Sequence, residues 1–158
     1  MIEQNDIRLA GIAHARAIAL MSRHFIEDGL GWSWTTPRVA KAIRNPDCNV
    51  AVIESTPRLA AFGIMEYGLD TAHLLLFAVR PDARRRRLGS RLLTWLEETA
   101  LVAGVQRIDL ETRHNNLTGR RFYATRGYEE IEVVPGYYSG RESAVRMSRR
   151  LRAPPPWA

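Results

Sequence analysis

Two apolar periods share this chain, and the points where one gives way to the other outline its elements. From Ile12 to about Asp28 the side made of Ile12, Ala15, Ile18, Ala19, Ser22, Phe25 and Ile26 recurs at helical spacing, closed by Gly29 and Gly31. Ile7 to Leu9 ahead of it reads as a short strand, and Pro37 to about Arg44 as a second helix, capped by Thr35 or Thr36 with Pro37 in its first turn. After the Asn45-Pro46-Asp47 turn, Asn49 to Glu54 and Leu59 to Leu69 read as a hairpin joined across Ser55 to Arg58. Strand alternation puts Ala60, Phe62, Ile64 and Glu66 on one face and Ala61, Gly63, Met65 and Tyr67 on the other.

Asp70-Thr71 turns the chain into a strand, Ala72 to Val79, that stops at Pro81 in an arginine-rich turn. Leu88, Leu92, Leu93, Leu96 and Ala100 then mark the buried face of a helix running to Ala103, which Gly104 ends. In the strand from Gln106 to Thr112, Ile108, Leu110 and Thr112 face one way and Arg107, Asp109, Glu111 and Arg113 the other. Asn115 or Asn116 caps a helix to Arg126 with apolar members Leu117, Phe122, Tyr123 and Ala124, and Gly127 closes it. Tyr128 to Val134 reads as a strand, Pro135 to Gly140 as a loop, and Ser143 to Arg149 as the last strand. A strand, crossover helix and strand in sequence predict a right-handed parallel βαβ unit. The expected class is α/β: one domain over residues 1 to 151, then a frayed tail, 152 to 158, containing Pro154, Pro155 and Pro156.

Composition narrows the function more by exclusion. At 158 residues and 46% hydrophobic, the chain has the length and interior of one ordinary domain. It holds no apolar run near the roughly 20 residues of a membrane helix and opens without a signal-like segment, so a soluble cytoplasmic protein is expected. Cys48 is the single cysteine and the four histidines are scattered, which argues against a disulfide or zinc site. The formal charge of +6 lies in the second half: residues 80 to 158 carry sixteen Lys/Arg against nine Asp/Glu. Such a half suits nucleic acid or a phosphorylated cofactor. Arginine bias, with Lys41 the sole lysine, and the lack of interleaved aromatics near Arg84 to Arg87 make nucleic acid the less favoured partner.

The candidate chemistry centres on Val79 to Leu93. The first turn of a helix offers backbone N–H groups and partial positive charge, Gly89 allows close approach, Ser90 adds a hydroxyl, and Arg84 to Arg87 with Arg91 add formal charge. A phosphorylated ligand would be held there. The order fits neither the Walker nor the Rossmann pattern.

It resembles motif A of the GNAT superfamily of acyl-CoA N-acyltransferases, Val-x-Pro-x-x-Arg-x-x-Gly-x-Gly/Ala. Val79, Pro81, Arg84 and Gly89 fall on that pattern, and Arg87 stands where the first glycine is usual, an exchange that bears on how closely the pyrophosphate approaches there and on whether Arg87 takes an uncommon backbone angle. Asn116 to Tyr128 is similar to motif B, Asn-x-x-Ala-x-x-x-Tyr-x-x-x-Gly-Phe/Tyr, with Gly119 for alanine. Two motifs in the right order are more specific than either alone; the likeness covers about residues 72 to 150, and the first half only by element order. Pro-Gly-Tyr-Tyr-Ser-Gly-Arg-Glu-Ser-Ala-Val-Arg-Met is also similar to the closing segment of ribosomal-protein alanine N-acetyltransferases, with Ser143 in place of an aspartate.

The resemblance implies a GNAT fold whose strands splay between 72 to 79 and 106 to 112 to admit the cofactor, and acetyl transfer from acetyl-CoA to an amine by direct attack in a ternary complex. It implies that the pyrophosphate rests around Arg84, Arg85, Arg87, Gly89 and Ser90, that Val79 and Asn116 contact the pantetheine arm, and that Tyr123 protonates the leaving thiolate. Glu111 matches a position at which some members use a glutamate, through water, as base; Glu66 is the other candidate.

Simple acid-base chemistry is compatible with these roles. About one α-amine in ten is unprotonated at pH 7 against about one lysine in a few thousand, and a phenol near 10 is protonated beside a thiolate near 8.5. Plain alternatives stand beside each role: Tyr123 as a core-edge aromatic, Asn116 as a cap only, Trp32 and Trp34 as packing rather than acceptor recognition, and Glu66 as a solvated strand end. Tyr137 and Tyr138 would border the acceptor or serve a homodimer contact. Two rival readings remain at this point, a basic RNA-binding module and a catalytically silent CoA-binding regulator. The acceptor is open between a protein N-terminus, a lysine and a small amine.

Overall fold

The structure, a computed structural model, describes residues 7–151, apart from the side chains of residues 84–86. Its frame is a sheet of β1 (Ile7–Leu9), β2 (Cys48–Ser55), β3 (Arg58–Tyr67), β4 (Thr71–Val79), β5 (Arg107–Arg113), β6 (Glu129–Tyr138) and β7 (Glu142–Arg150). The strands lie in the order β1-β2-β3-β4-β5-β7-β6. All neighbours are antiparallel except β4 and β5, which are joined by the crossover helix α3 (Leu88–Ala103) as the apolar spacing predicts.

The parallel pair is short, and this shapes the molecule. β4 and β5 are in register only from Thr71 with Arg107 to Leu74 with Leu110. Beyond Leu74 the remainder of β4 stays paired with β3, and the remainder of β5 stays paired with β7. The sheet therefore parts along the C-terminal halves of its two central strands.

Two bulges redirect side chains, one of them, in β3, against the alternation expected there. Pairing steps from Ile53 with Ala61 to Glu54 with Leu59, so Ala60 is the extra residue and packs in the same cluster as Ala61 instead of with Phe62. In β4, pairing steps from Ile64 with Leu76 to Met65 with Leu74, leaving Leu75 extra. Ala72 and Leu74 thus join the core under α3, Leu76 and Ala78 join the opposite core, and Phe77 and Val79 turn to the α3 side. A bulge of this kind re-aims every later side chain on its strand.

The opposite core packs α1 (Ala15–Met21) and α2 (Thr36–Arg44) on Val50, Val52, Phe62 and Ile64. The helix expected over Ile12 to Asp28 changes pitch twice: a 3₁₀ turn, Ile12–His14, precedes α1, and a π turn, Ser22–Ile26, follows it. The widening closes with the Glu27 amide on the Ser22 carbonyl at 2.8 Å, while the Ser22 hydroxyl donates to the Glu27 carboxylate, also at 2.8 Å. Thr35 is the N-cap of α2 but makes no side-chain capping bond.

Further along, β3 stops at Tyr67, and Leu69, expected within it, is 95% exposed in the following turn. In α4 (Leu117–Thr125) Tyr123 is buried and Phe122 half-buried, whereas Leu117 and Ala124 are exposed and form no part of an apolar face. β6 continues through Pro135 and Gly136 to Tyr138, where a loop was expected. The register shifts between Val134 and Tyr138, so the ladder bypasses the proline, and Tyr138 pairs again with Glu142. Residues 152–158 of the expected tail lie outside the described set.

Candidate active site

The gap between β4 and β5 is walled differently on its two sides. On the α3 side, Phe77 from β4 stacks on Phe122 with ring centroids 5.9 Å apart, and Tyr123 meets Phe77 at 6.3 Å and Phe122 at 5.3 Å, both edge-on. Burial raises the Tyr123 pKa well above that of an ordinary phenol, with the Tyr138 phenol adding to the effect. Tyr123 therefore stays protonated at neutral pH and is a hydrogen-bond donor throughout.

α3 begins beside this aromatic wall. Arg87, its N-cap, has φ 58° and ψ 22°, a left-handed angle of the kind glycine adopts freely. The first intrahelical bond runs from the Arg91 amide to the Arg87 carbonyl, so the amides of Leu88, Gly89 and Ser90 precede it. A Cβ on Gly89 would lie 3.3 Å from Val79 Cγ2 and 3.6 Å from Phe122 Cζ, so Val79, Gly89 and Phe122 converge at the helix entrance. The expected roles of the Arg84 and Arg85 side chains fall outside the described set.

Asn116 caps α4: its Oδ1 accepts the Gly119 amide at 3.0 Å and its Nδ2 donates to Thr112 Oγ1 at 3.2 Å. The structural role of Asn116 is thus occupied in full view. Gly119 makes room for that arrangement, because a Cβ there would stand 2.3 Å from Asn116 Nδ2.

On the opposite side of the sheet, Glu111 sits at the point where the strands part, with its side chain 7% exposed. His73 Nε2 approaches its Oε1 at 2.6 Å, the Tyr137 hydroxyl donates to the same oxygen at 3.3 Å, and Arg146 Nε donates to Oε2 at 2.9 Å. Burial opposes ionisation, but the bonds and charges of His73 and Arg146 outweigh it and lower Glu111 from 4.5 to about 2. Moving a proton from an α-amine near 8 to such a carboxylate is uphill by about 8 kcal/mol. Glu111 is the centre of an ion-pair cluster.

Glu66, the other carboxylate considered, pairs in register with His73 and is exposed at the end of β3, where its charge acts on the imidazole. Tyr137 and Tyr138 meet edge-on at 4.9 Å on β6; burial raises both phenols. The Tyr137 hydroxyl also contacts Glu111.

Trp32 and Trp34 lie on the segment between α1 and α2, and both are engaged. Trp32 Nε1 donates to the Ala19 carbonyl at 3.2 Å under the Arg23 guanidinium, while Trp34 packs on the α1/α2 core with Arg38 3.9 Å above its ring.

Residues to which the sequence reading gave no site role hold these walls in place. The buried Glu27 carboxylate accepts from Ser22 Oγ, from the Ser33 amide and hydroxyl, and from the Trp34 amide. Arg113 joins the same segment to β7. His73 and Arg146 complete the cluster around Glu111. The parity of β5 marks Glu111 and Arg113 as co-facial, but nothing local marks His73, whose neighbours come from register across three strands. Among the described residues no group of His, Cys, Asp and Glu is arranged to hold a metal, and no helix is long and apolar enough to cross a membrane.

A sheet parted between parallel central strands, a helix entrance beside the gap, and a buried tyrosine opposite a charged cluster define an acyltransferase-type architecture. The model of the acetyltransferase (GNAT) family matches residues 18–128, and the chain belongs to that family. It is 37% identical over 94 residues to a ribosomal protein bS18-alanine N-acetyltransferase of Salmonella typhimurium strain LT2, a match covering 58% of this chain and 64% of the relative. The matched segment thus spans less than two thirds of that relative's length. An uncharacterized N-acetyltransferase of Methanocaldococcus jannaschii is 33% identical over 107 residues, 66% of this chain and 67% of the relative. The crystal structure of the ribosomal-protein-S18-alanine N-acetyltransferase from Escherichia coli superposes with a TM-score of 0.80 at 26% identity, covering 97% of each chain.

Proposed function

We propose that this chain transfers an acetyl group from acetyl-CoA to a primary amine, with the α-amine of a protein N-terminus as the first-choice acceptor. The observation that carries the reading is the parting of β4 and β5 after Leu74 and Leu110, with Tyr123 on one side and Glu111 on the other. The gap suits an extended ligand arm that enters from the start of α3. Acetyl-CoA supplies an activated acyl carbon and a thiolate leaving group.

In this reading the amides of Gly89 and Ser90 receive the diphosphate, and the arginines around the turn add charge to it. The edge of β4 at Val79 and the region of Asn116 line the arm. Asn116 contributes its remaining N–H, because Oδ1 and the other bond are committed to Gly119 and Thr112. Tyr123 donates a hydrogen bond to the sulfur as negative charge develops there. Its raised pKa makes it a stabiliser of that charge, regaining from the reacting nitrogen any proton it passes on. The wall made by Trp32, Trp34, Tyr137 and Tyr138 takes the acceptor.

An α-amine is supported on two grounds. It is far more often unprotonated at neutral pH than a lysine, and the Salmonella and E. coli relatives are named as ribosomal-protein alanine N-acetyltransferases.

Two measurements test the reading. Saturating acetyl-CoA at about 100 times its Kd contributes about 2.7 kcal/mol by mass action and so raises the melting temperature by several degrees. Gly89→Glu removes that rise, while a wild type without it refutes CoA binding. Release of free thiol from acetyl-CoA is then followed with peptides beginning in alanine, lysine side-chain peptides and small amines. Turnover confined to small amines overturns the N-terminal assignment.

A further inference from the structure

We propose that His73 is the group that takes the proton from the acceptor amine, with Glu111 as the residue that positions it; the inference rests on the acetyltransferase reading above. The Nε2 edge of the imidazole is committed to Glu111 Oε1 at 2.6 Å. In the neutral ring, Nε2 then carries the hydrogen that the carboxylate accepts, which leaves Nδ1 as the basic nitrogen. Nδ1 has no hydrogen-bond partner among the described residues, and the side chain is 38% exposed, whereas Glu111 is 7% exposed. Of the two members of the pair, the histidine is the one that solvent and an incoming amine can reach.

The surroundings set its basicity in the useful direction. Glu66 faces His73 from β3, and Asp109 and Glu111 face it from β5. Arg146 from β7 and Tyr137 from β6 reach it only through Glu111. Asp109 is itself paired with Arg107 and accepts a hydrogen bond from the Ser148 hydroxyl. The Glu111 hydrogen bond raises His73 above 6.5, the neighbouring carboxylates add to that, and partial burial works against it. An imidazole raised above its ordinary 6.5 is a better proton acceptor for an α-amine than a carboxylate held near 2.

The step balances with groups already named. The ammonium gives one proton to Nδ1, directly or through one water, and the freed lone pair forms the C–N bond to the acetyl carbon. The C–S bond breaks with its electron pair on sulfur. The second nitrogen proton reaches that sulfur by way of the Tyr123 hydroxyl, which ends as it began. The products are the amide, CoA thiol and a protonated His73, which returns its proton to solvent.

The test combines a readout that needs no turnover with one that does. In the free protein, the His73 imidazole resonance, assigned by its loss in His73→Gln, is expected to titrate above 6.5 and to move lower in Glu111→Gln. With acetyl-CoA and an alanine-initiated peptide, kcat/KM of wild type is expected to rise with pH through that same value. His73→Gln should lower kcat about 100-fold or more and abolish that limb, with the acetyl-CoA melting shift retained. Glu111→Gln should move the limb to lower pH instead of removing it. A His73→Gln enzyme that keeps wild-type kcat and pH profile overturns the proposal. So does a His73 resonance at or below 6.5 that Glu111→Gln leaves in place, whatever the activity. Failure of wild type to bind acetyl-CoA refutes the functional reading separately, since the titration needs no cofactor.

Discussion

Arg113, at the end of β5, grips Glu142 at the start of β7 with two bonds, Nε to Oε1 at 2.9 Å and Nη2 to Oε2 at 2.5 Å. Its Nη1 also donates to the carbonyls of Ile26 and Asp28, at 3.2 and 2.6 Å, where the π turn leads into the α1–α2 segment. One guanidinium therefore ties both segments that would wall the acceptor to the strand carrying Glu111. Arg113→Ala should raise KM for the peptide about tenfold, in line with the worth of bonds to a charged group, and leave the acetyl-CoA melting shift unchanged. Steady-state kinetics with each substrate varied in turn checks the split.

Glu27 is a second brace, buried and accepting from two side chains and two amides. Glu27→Ala strands those donors, so a loss of about 3 kcal/mol is expected in urea denaturation. Because the Trp34 amide is among the donors, tryptophan fluorescence should also report a looser segment before global unfolding.

Arg87 occupies a left-handed angle that costs a side-chain-bearing residue about 1 kcal/mol. Arg87→Gly removes this cost and should raise the melting temperature by about 2–4 °C. A fall would mean that the Arg87 side chain contributes more to the turn than its backbone angle costs.

Tyr123→Phe keeps the ring that packs against Phe77, Phe122 and Tyr128, so its melting temperature should stay near wild type. Under the proposed mechanism turnover should fall about 100-fold, because the leaving sulfur would lose its hydrogen-bond donor. Full turnover at neutral pH would remove Tyr123 from the chemistry and leave the fold assignment intact.

Acid stability follows from Glu111. Its folded-state pKa of about 2 lies below the ordinary 4.5, so the carboxylate stabilises the fold above 4.5, and that contribution is lost as pH falls through about 2. The difference corresponds to about 3 kcal/mol. Glu111→Gln should flatten melting temperature against pH over this window. His73 has the opposite sense: its raised pKa stabilises the fold below 6.5, and that part is lost as pH rises through its folded-state value.

Much of this architecture is written locally. The leucine spacing from Leu88 to Ala100 and the αL glycine at Gly104 specify α3, and the parity of Ile108, Leu110 and Thr112 specifies the buried face of β5. The two motifs in order were enough to place the chain in its family, which the family match bears out. These signals survive because period, cap and turn chemistry act over a few residues. Side-chain partnerships across the sheet are another matter. The extra residues Ala60 and Leu75 flip later side chains, and only the pairing of β3 with both its neighbours decides where the bulges fall. His73 meets Glu111 because two strands far apart in sequence lie parallel for four residue pairs and then part. Arg113 reaches Ile26 and Glu142 across 87 and 29 positions of chain. Sequence periodicity determines which face a residue occupies, whereas long-range register decides which charges share that face, and the chemistry of this site depends on the latter.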